Sequence, residues 1–157
     1  MLSLLIWNAQ GLGAHVKTDF ISNEVVKNKA SIVVILEPKV SSSRIGECAR
    51  RAGMRFFLHG IWVFWKDPIL VVKLATSDLH LSVKVDSGQC ICFFSFVYAK
   101  CEARLREQLW ADLSSFNPGD EPWLVGGDFN CILDSSEKKG GSALPQSDRA
   151  QFSSFVA

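Results

Sequence analysis

The stretch Trp123-Leu124-Val125-Gly126-Gly127-Asp128-Phe129-Asn130 decides how this chain is read. An apolar run ends in paired glycines, and an acid and an amide follow two positions apart. This is the pattern of a short buried strand that opens into a tight loop and delivers polar groups at its end. Alternate side chains of an extended strand point the same way, so a persisting strand direction places Asp128 and Asn130 on one side. The glycines permit a sharp turn or the close approach of another group. In open α/β sheets, ligand chemistry gathers at the carboxyl ends of strands. The same residues also suit an ordinary polar turn, so the stretch must be weighed with the rest of the chain.

Upstream, other apolar runs end in the same manner. Leu2 to Trp7 is β-compatible and leads into Asn8-Ala9-Gln10-Gly11-Leu12-Gly13. Ser31 to Leu36 is an unbroken aliphatic run, as expected for a central strand buried on both faces. It stops at Glu37-Pro38-Lys39. Strands are expected over 55–58, 61–65, 69–75, 79–85 and 90–98, the last ending at Tyr98. Leu79 to Val85 alternates, which predicts one buried and one wet face, with His80 on the wet one. Asp86 to Gln89 is expected to close a hairpin. Helical spacing marks 17–29, 43–53 and 102–116, with Leu105, Leu109 and Leu113 on one face. Ser147 is expected to cap a last helix over 148–156.

The chain has 157 residues, net charge +1 and 48% hydrophobic residues. That fits one folded domain and argues against wholesale disorder. No strongly basic balance announces nucleic acid, although Arg50, Arg51 and Arg55 cluster, as do Lys138 and Lys139. The five cysteines show no C-x-x-C spacing and no secretory layout precedes them, so they read as reduced, intracellular thiols. The opening apolar run is too short to span a membrane. His15, His59 and His80 read as surface or half-buried residues.

Strand ends therefore offer Asn8, Glu37, Tyr98, Asp128 and Asn130, in that order. With Trp7-Asn8 and Gly11, Leu36-Glu37, Val97-Tyr98 and Gly126 to Asn130, the chain resembles the endonuclease/exonuclease/phosphatase superfamily. Trp7 to Gly13, Glu37-Pro38-Lys39, Gly60 to Trp65, Leu109-Trp110, Pro122 to Val125 and Glu137 to Gly141 narrow the resemblance. They are similar to the endonuclease domain of plant non-LTR retrotransposons of the long-interspersed-element type.

The resemblance implies an α/β (α+β) four-layer sandwich, two packed β-sheets flanked by helices, over residues 1–157. It implies Mg²⁺-dependent hydrolysis of a phosphoester, with Mn²⁺ as an alternative metal, DNA as partner and the nucleus as location. By the same resemblance Glu37 is the principal metal ligand and Asn8 supports the ligation or contacts phosphate. Asp128 activates water, and Asn130 and Tyr98 donate to the phosphate. Such chemistry suits these residue types: Mg²⁺ takes oxygen ligands and keeps several waters, so one or two carboxylates suffice.

The family domain also carries later strands and a closing Ser-Asp-His, which this sequence lacks. The expectation is a C-terminally truncated copy with weak or lost nicking activity. The alternatives are a non-catalytic retroelement remnant, or a related abasic-site nuclease or phosphatase.

Overall fold

The computed structural model describes residues 1–13, 15–58, 61–141 and 146–157. His59 and Gly60, on which one sequence reading fell, lie outside them. In chain order the elements are β1 (Leu4–Asn8), α1 (His15–Lys27), β2 (Ile32–Leu36), α2 (Ile45–Arg51), β3 (Phe56–Leu58) and β4 (Trp62–Trp65). Then come β5 (Leu70–Thr76), β6 (His80–Asp86), β7 (Ile91–Tyr98), α3 (Ala103–Ser115), β8 (Trp123–Asp128) and α4 (Gln146–Val156). Short 3-10 turns cover Ser42–Arg44 and Ser135–Glu137. The last helix begins ahead of Ser147, which lies inside it rather than capping it.

The strands form two mixed sheets, ordered β1-β2-β4-β3 and β5-β6-β7-β8. In each, one parallel pair supplies an edge: β1 with β2, and β7 with β8. The β2 sequence shows why the layers stack. Ile32, Val34 and Leu36 point into the core between the sheets, against Leu81, Val83 and Val85 of β6 and Phe94 and Phe96 of β7. Val33 and Ile35 point the other way, against Ile21 and Val25 of α1 and Ile45, Cys48 and Ala49 of α2. Alternation on a strand whose two faces both meet apolar layers requires an unbroken aliphatic run. On the outer face of the second sheet, Val97 packs with Leu109, Trp110 and Leu113 of α3 and Phe152 of α4. The order helix, sheet, sheet, helix is the four-layer sandwich expected from the sequence.

The polar face of β6 departs from expectation. His80 is only 4% exposed and Ser82 is fully buried. The helical layer on this side of the sheet covers the face that alternation alone assigns to water. The buried polar groups are satisfied locally. Ser82 and Ser95 hydroxyls share a hydrogen bond of 2.7 Å, and Trp123 Nε1 donates to Ser95 Oγ at 3.0 Å. The His80 ring bonds Ser77 Oγ at 2.9 Å.

Burial lowers the His80 pKa from its ordinary 6.5, partly opposed by Asp112. Below that value the unfolded chain therefore takes up a proton that the folded chain resists. The His80 contribution to stability is complete above pH 6.5 and is lost as pH falls through the lowered folded value. Urea unfolding at about pH 7.5 and about pH 5.5 is expected to show this loss, and His80→Gln to reduce it. Equal pH dependence in the two proteins would refute the assignment.

Candidate active site

The carboxyl ends of the two parallel pairs meet at one end of the sandwich. Asn8 pairs with Leu36 across β1 and β2, so Glu37 follows directly beside Asn8. Tyr98 pairs with Asp128 across β7 and β8. Each sheet thus contributes two polar side chains, and the packing of β1 against β8 brings the pairs together. Gly126 serves that approach, since a Cβ there would meet Ile6 Cδ1 of β1 at 3.1 Å. Gly127 serves the β7–β8 pairing, where a Cβ would overlap the Val97 carbonyl, and it takes a φ of +143° that L side chains rarely adopt.

Asn8 joins the sheets chemically. Its Nδ2 donates to Glu37 Oε1 at 3.1 Å and to Asp128 Oδ2 at 2.8 Å. Its Oδ1 accepts from the Gln10 amide at 3.2 Å. Bridging two carboxylates demands a donor, so the NH₂ group faces them. Asn8 therefore orients the two acids from this position. The other Glu37 oxygen, Oε2, pairs with Lys39 Nζ at 2.6 Å. The Lys39 ammonium is the main cause that holds the Glu37 carboxyl below its usual range, against the opposing pull of burial; Asn8 and Tyr98 add to it. Burial first, and then Glu37, raises the Tyr98 phenol, which keeps its proton as a donor.

Asn130 does not follow the strand. β8 ends at Asp128, and Asn130 has φ +46°, in the left-handed region that Asn tolerates. Its backbone N–H donates to Asp128 Oδ1 at 3.0 Å, and its Nδ2 donates to Ala99 O at 2.7 Å. The expected same-side alternation of Asp128 and Asn130 is replaced by an Asx-type turn. One Nδ2 hydrogen is committed to Ala99 and one remains for a ligand. From the other side, the buried Arg106 guanidinium donates to Lys100 O and Cys101 O. The loop after Tyr98 is thus pinned from both directions.

Asn130→Ala removes the Ala99 tie and keeps a β-carbon at a left-handed φ that alanine tolerates less well than asparagine. Asn130→Gly removes the tie and relieves that backbone conformation. The alanine variant is expected to be less stable than the glycine variant by about 1 kcal/mol in urea. The reverse order would contradict this account of the loop.

Sequence reasoning brought Asn8, Glu37, Tyr98 and Asp128 to strand ends, and the structure assembles all four. It gave Lys39 no role and did not foresee Arg106. The signal for Lys39 was the Glu-Pro-Lys spacing. Beside Asp128 and Asn130 lies an open cleft of about 520 Å³, also lined by Cys101, Cys131, Ile132 and Lys138. Among the described residues, no group of three or more His, Cys, Asp or Glu side chains surrounds a common metal position. The donor set suits a hard cation held by few protein ligands. Glu37 is an oxygen donor whose side chain is largely enclosed by the fold, and it pairs with the cationic Lys39.

The chain thus has two mixed sheets between helical layers, with an amide, two acids and a phenol gathered at the strand ends. The sequence profile of the Endonuclease/Exonuclease/phosphatase family matches residues 5–155, and the chain belongs to that family. No curated protein sequence matches it.

Among solved structures, the endonuclease domain of TRAS1, a telomere-specific non-LTR retrotransposon, is similar with TM-score 0.71 and 16% identity. The match covers 99% of this chain and 70% of that one. D. rerio TDP2 complexed with single-strand DNA product gives TM-score 0.63 and 14% identity over 83% of this chain and 61% of that one. Truncated Caenorhabditis elegans TDP2 gives 0.61 and 13% over 92% and 66%. At these identities the structures establish the shared fold.

Proposed function

We propose that the chain is a metal-dependent phosphodiesterase domain of the retroelement endonuclease type, acting on DNA. The observation that carries this reading is the Asn8 amide, which ties Glu37 and Asp128, from opposite sheets, into one constellation. Family membership supports phosphoester chemistry, and the likeness to a retrotransposon endonuclease domain and to a TDP2 bound to single-strand DNA product supports DNA as the substrate class.

Glu37 would hold the divalent cation, with Mg²⁺ preferred and Mn²⁺ accepted. The cation would offset charge on the phosphate oxygens and the leaving group. The chain's own residues do the rest. Asp128, fixed by Asn8 and by the Asn130 backbone, takes the proton of the attacking water. Tyr98 and the remaining Asn130 N–H donate to phosphate oxygens as charge develops there. Asn8 keeps the two acids apart in role, one for metal and one for water. Lys138, on the cleft, adds positive charge along the path of the strand.

Turnover is inferred to be slow. Among the described residues no imidazole joins those assembled at the site, and His80 is turned into the packed layer against Ser77. The loss of one donor that stabilises the transition state costs about 10²–10³ in rate.

Nicking of supercoiled plasmid by the folded 157-residue chain, at enzyme excess, tests the reading. Slow relaxation in Mg²⁺ that EDTA and Glu37→Ala both abolish is the expected result. Nicking that survives both would assign it to a contaminant. No nicking from folded protein at any metal concentration would favour a non-catalytic retroelement remnant.

A further inference from the structure

We propose that Lys39 is a removable counter-ion built into the site: its ammonium occupies Glu37 until a divalent cation arrives, and then leaves it. This rests on the reading of Glu37 as the metal-holding carboxylate and adds a competition for that group.

The Glu37 side chain is 12% exposed, whereas that of Lys39 is 60% exposed. Lys39 Nζ lies 2.6 Å from Oε2, and Asn8 takes Oε1. Both oxygens of a largely enclosed carboxylate are therefore engaged before any metal binds. A carboxylate enclosed without a counter-charge is costly to keep ionised, and Lys39 meets that need. A divalent cation on the same carboxylate would stand within a few ångströms of the ammonium, where like charges repel strongly. The two cations therefore compete for Glu37. Lysine is suited to yield, since its charge is a hydrated point on a flexible stem.

The turn that carries the pair has an uncommon backbone. Glu37 has φ +48° and Lys39 has φ +49°, both left-handed and uncommon for residues with side chains. The turn that carries them is held by Gly11 N–H to Glu37 O at 2.8 Å and by Leu12 N–H to Pro38 O at 2.7 Å. Gly11, at φ +100°, lies against the Lys39 stem, so that a Cβ there would meet Lys39 Cβ at 3.7 Å. Strained non-glycine backbone persists where surrounding structure over-determines it, and such sites are frequently functional. Once displaced, the ammonium is free to pair with a phosphate oxygen of the bound strand, so that the charge is re-used.

Mn²⁺ binding to the 157-residue chain, followed by electron paramagnetic resonance without nucleic acid, tests the exchange. Lys39→Met is expected to tighten Mn²⁺ binding about five- to tenfold, on the scale of one screened like charge at this separation. Lys39→Arg retains the competing charge and is expected to bind no more tightly than the unmodified chain. Glu37→Gln is expected to abolish binding. A second readout is the NMR signal of Lys39 after reductive methylation, expected to move on addition of diamagnetic Mg²⁺ and to stay still in Glu37→Gln.

Equal or weaker binding by Lys39→Met, with Glu37→Gln still inactive in binding, would overturn the counter-ion and leave the metal site standing. Binding unaffected by Glu37→Gln, or absent from both the unmodified chain and Lys39→Met, would overturn both.

Discussion

Gly127→Ala is expected to remove the folded state at ordinary temperature. Gly127 has φ +143°, a region that L side chains rarely enter. A Cβ at this position would overlap the Val97 carbonyl and lie 2.8 Å from the Val97 nitrogen. Both groups are backbone in the neighbouring strand, whose partner at this register position is Gly127 itself. Neither can rotate away. The strand pair must separate or the sheet must buckle, and either takes Tyr98 and Asp128 out of alignment. The expected cost exceeds about 4 kcal/mol, a large share of the roughly 5–15 kcal/mol that stabilises a domain.

Gly126→Ala is the control. Its new methyl group meets the Ile6 Cδ1 methyl at 3.1 Å, and a side-chain end can shift. About 1–3 kcal/mol is expected there. Soluble yield, far-ultraviolet circular dichroism and urea midpoints would separate the two. A Gly127→Ala protein as stable as Gly126→Ala would show that β7 and β8 do not approach as described.

The second large effect is on chemistry. Asp128→Asn is expected to lower Mg²⁺-dependent single-turnover nicking by about 10²–10⁴-fold, the usual worth of a positioned general base. The substitution keeps size and one carbonyl oxygen, which can still accept from the Asn130 N–H. It replaces the oxygen that faces Asn8 with an NH₂ group, so two donors confront each other where a 2.8 Å hydrogen bond stood. Metal binding at Glu37 is expected to persist. Loss of Mn²⁺ affinity together with rate would mean that Asp128 acts on the metal and not on water.

The sequence made much of this visible because each site residue follows an apolar run. Ile32 to Leu36 could only be a strand covered on both faces, and Glu37 had to lie at its end. Asn8, Tyr98 and Asp128 were legible in the same way. What escaped was set by tertiary packing and by backbone handedness. Alternation along β6 correctly put His80 opposite the inter-sheet core, yet gave no sign that the helical layer would cover it. The two-residue spacing of Asp128 and Asn130 reads as one face only if the strand continues, and a left-handed Asn130 ends it. Lys39 was in view beside Pro38, but the sequence does not show the left-handed turn on which its ammonium meets Glu37. The exit after Asn8 reads as a loop in sequence; its hydrogen bonds to Glu37 and Pro38 carbonyls show it to be the support of that turn.

These strand ends are proposed to hold a divalent cation and a phosphodiester between Glu37 and Asp128. The most direct measurement is anomalous diffraction from crystals of the chain grown with Mn²⁺ and a short DNA duplex. The expected map has a Mn²⁺ peak at coordination distance from Glu37, Lys39 withdrawn, and a backbone phosphate between the metal and Asp128. Mn²⁺ seated elsewhere, or a duplex bound away from Asn8, Tyr98 and Asp128, would contradict the account.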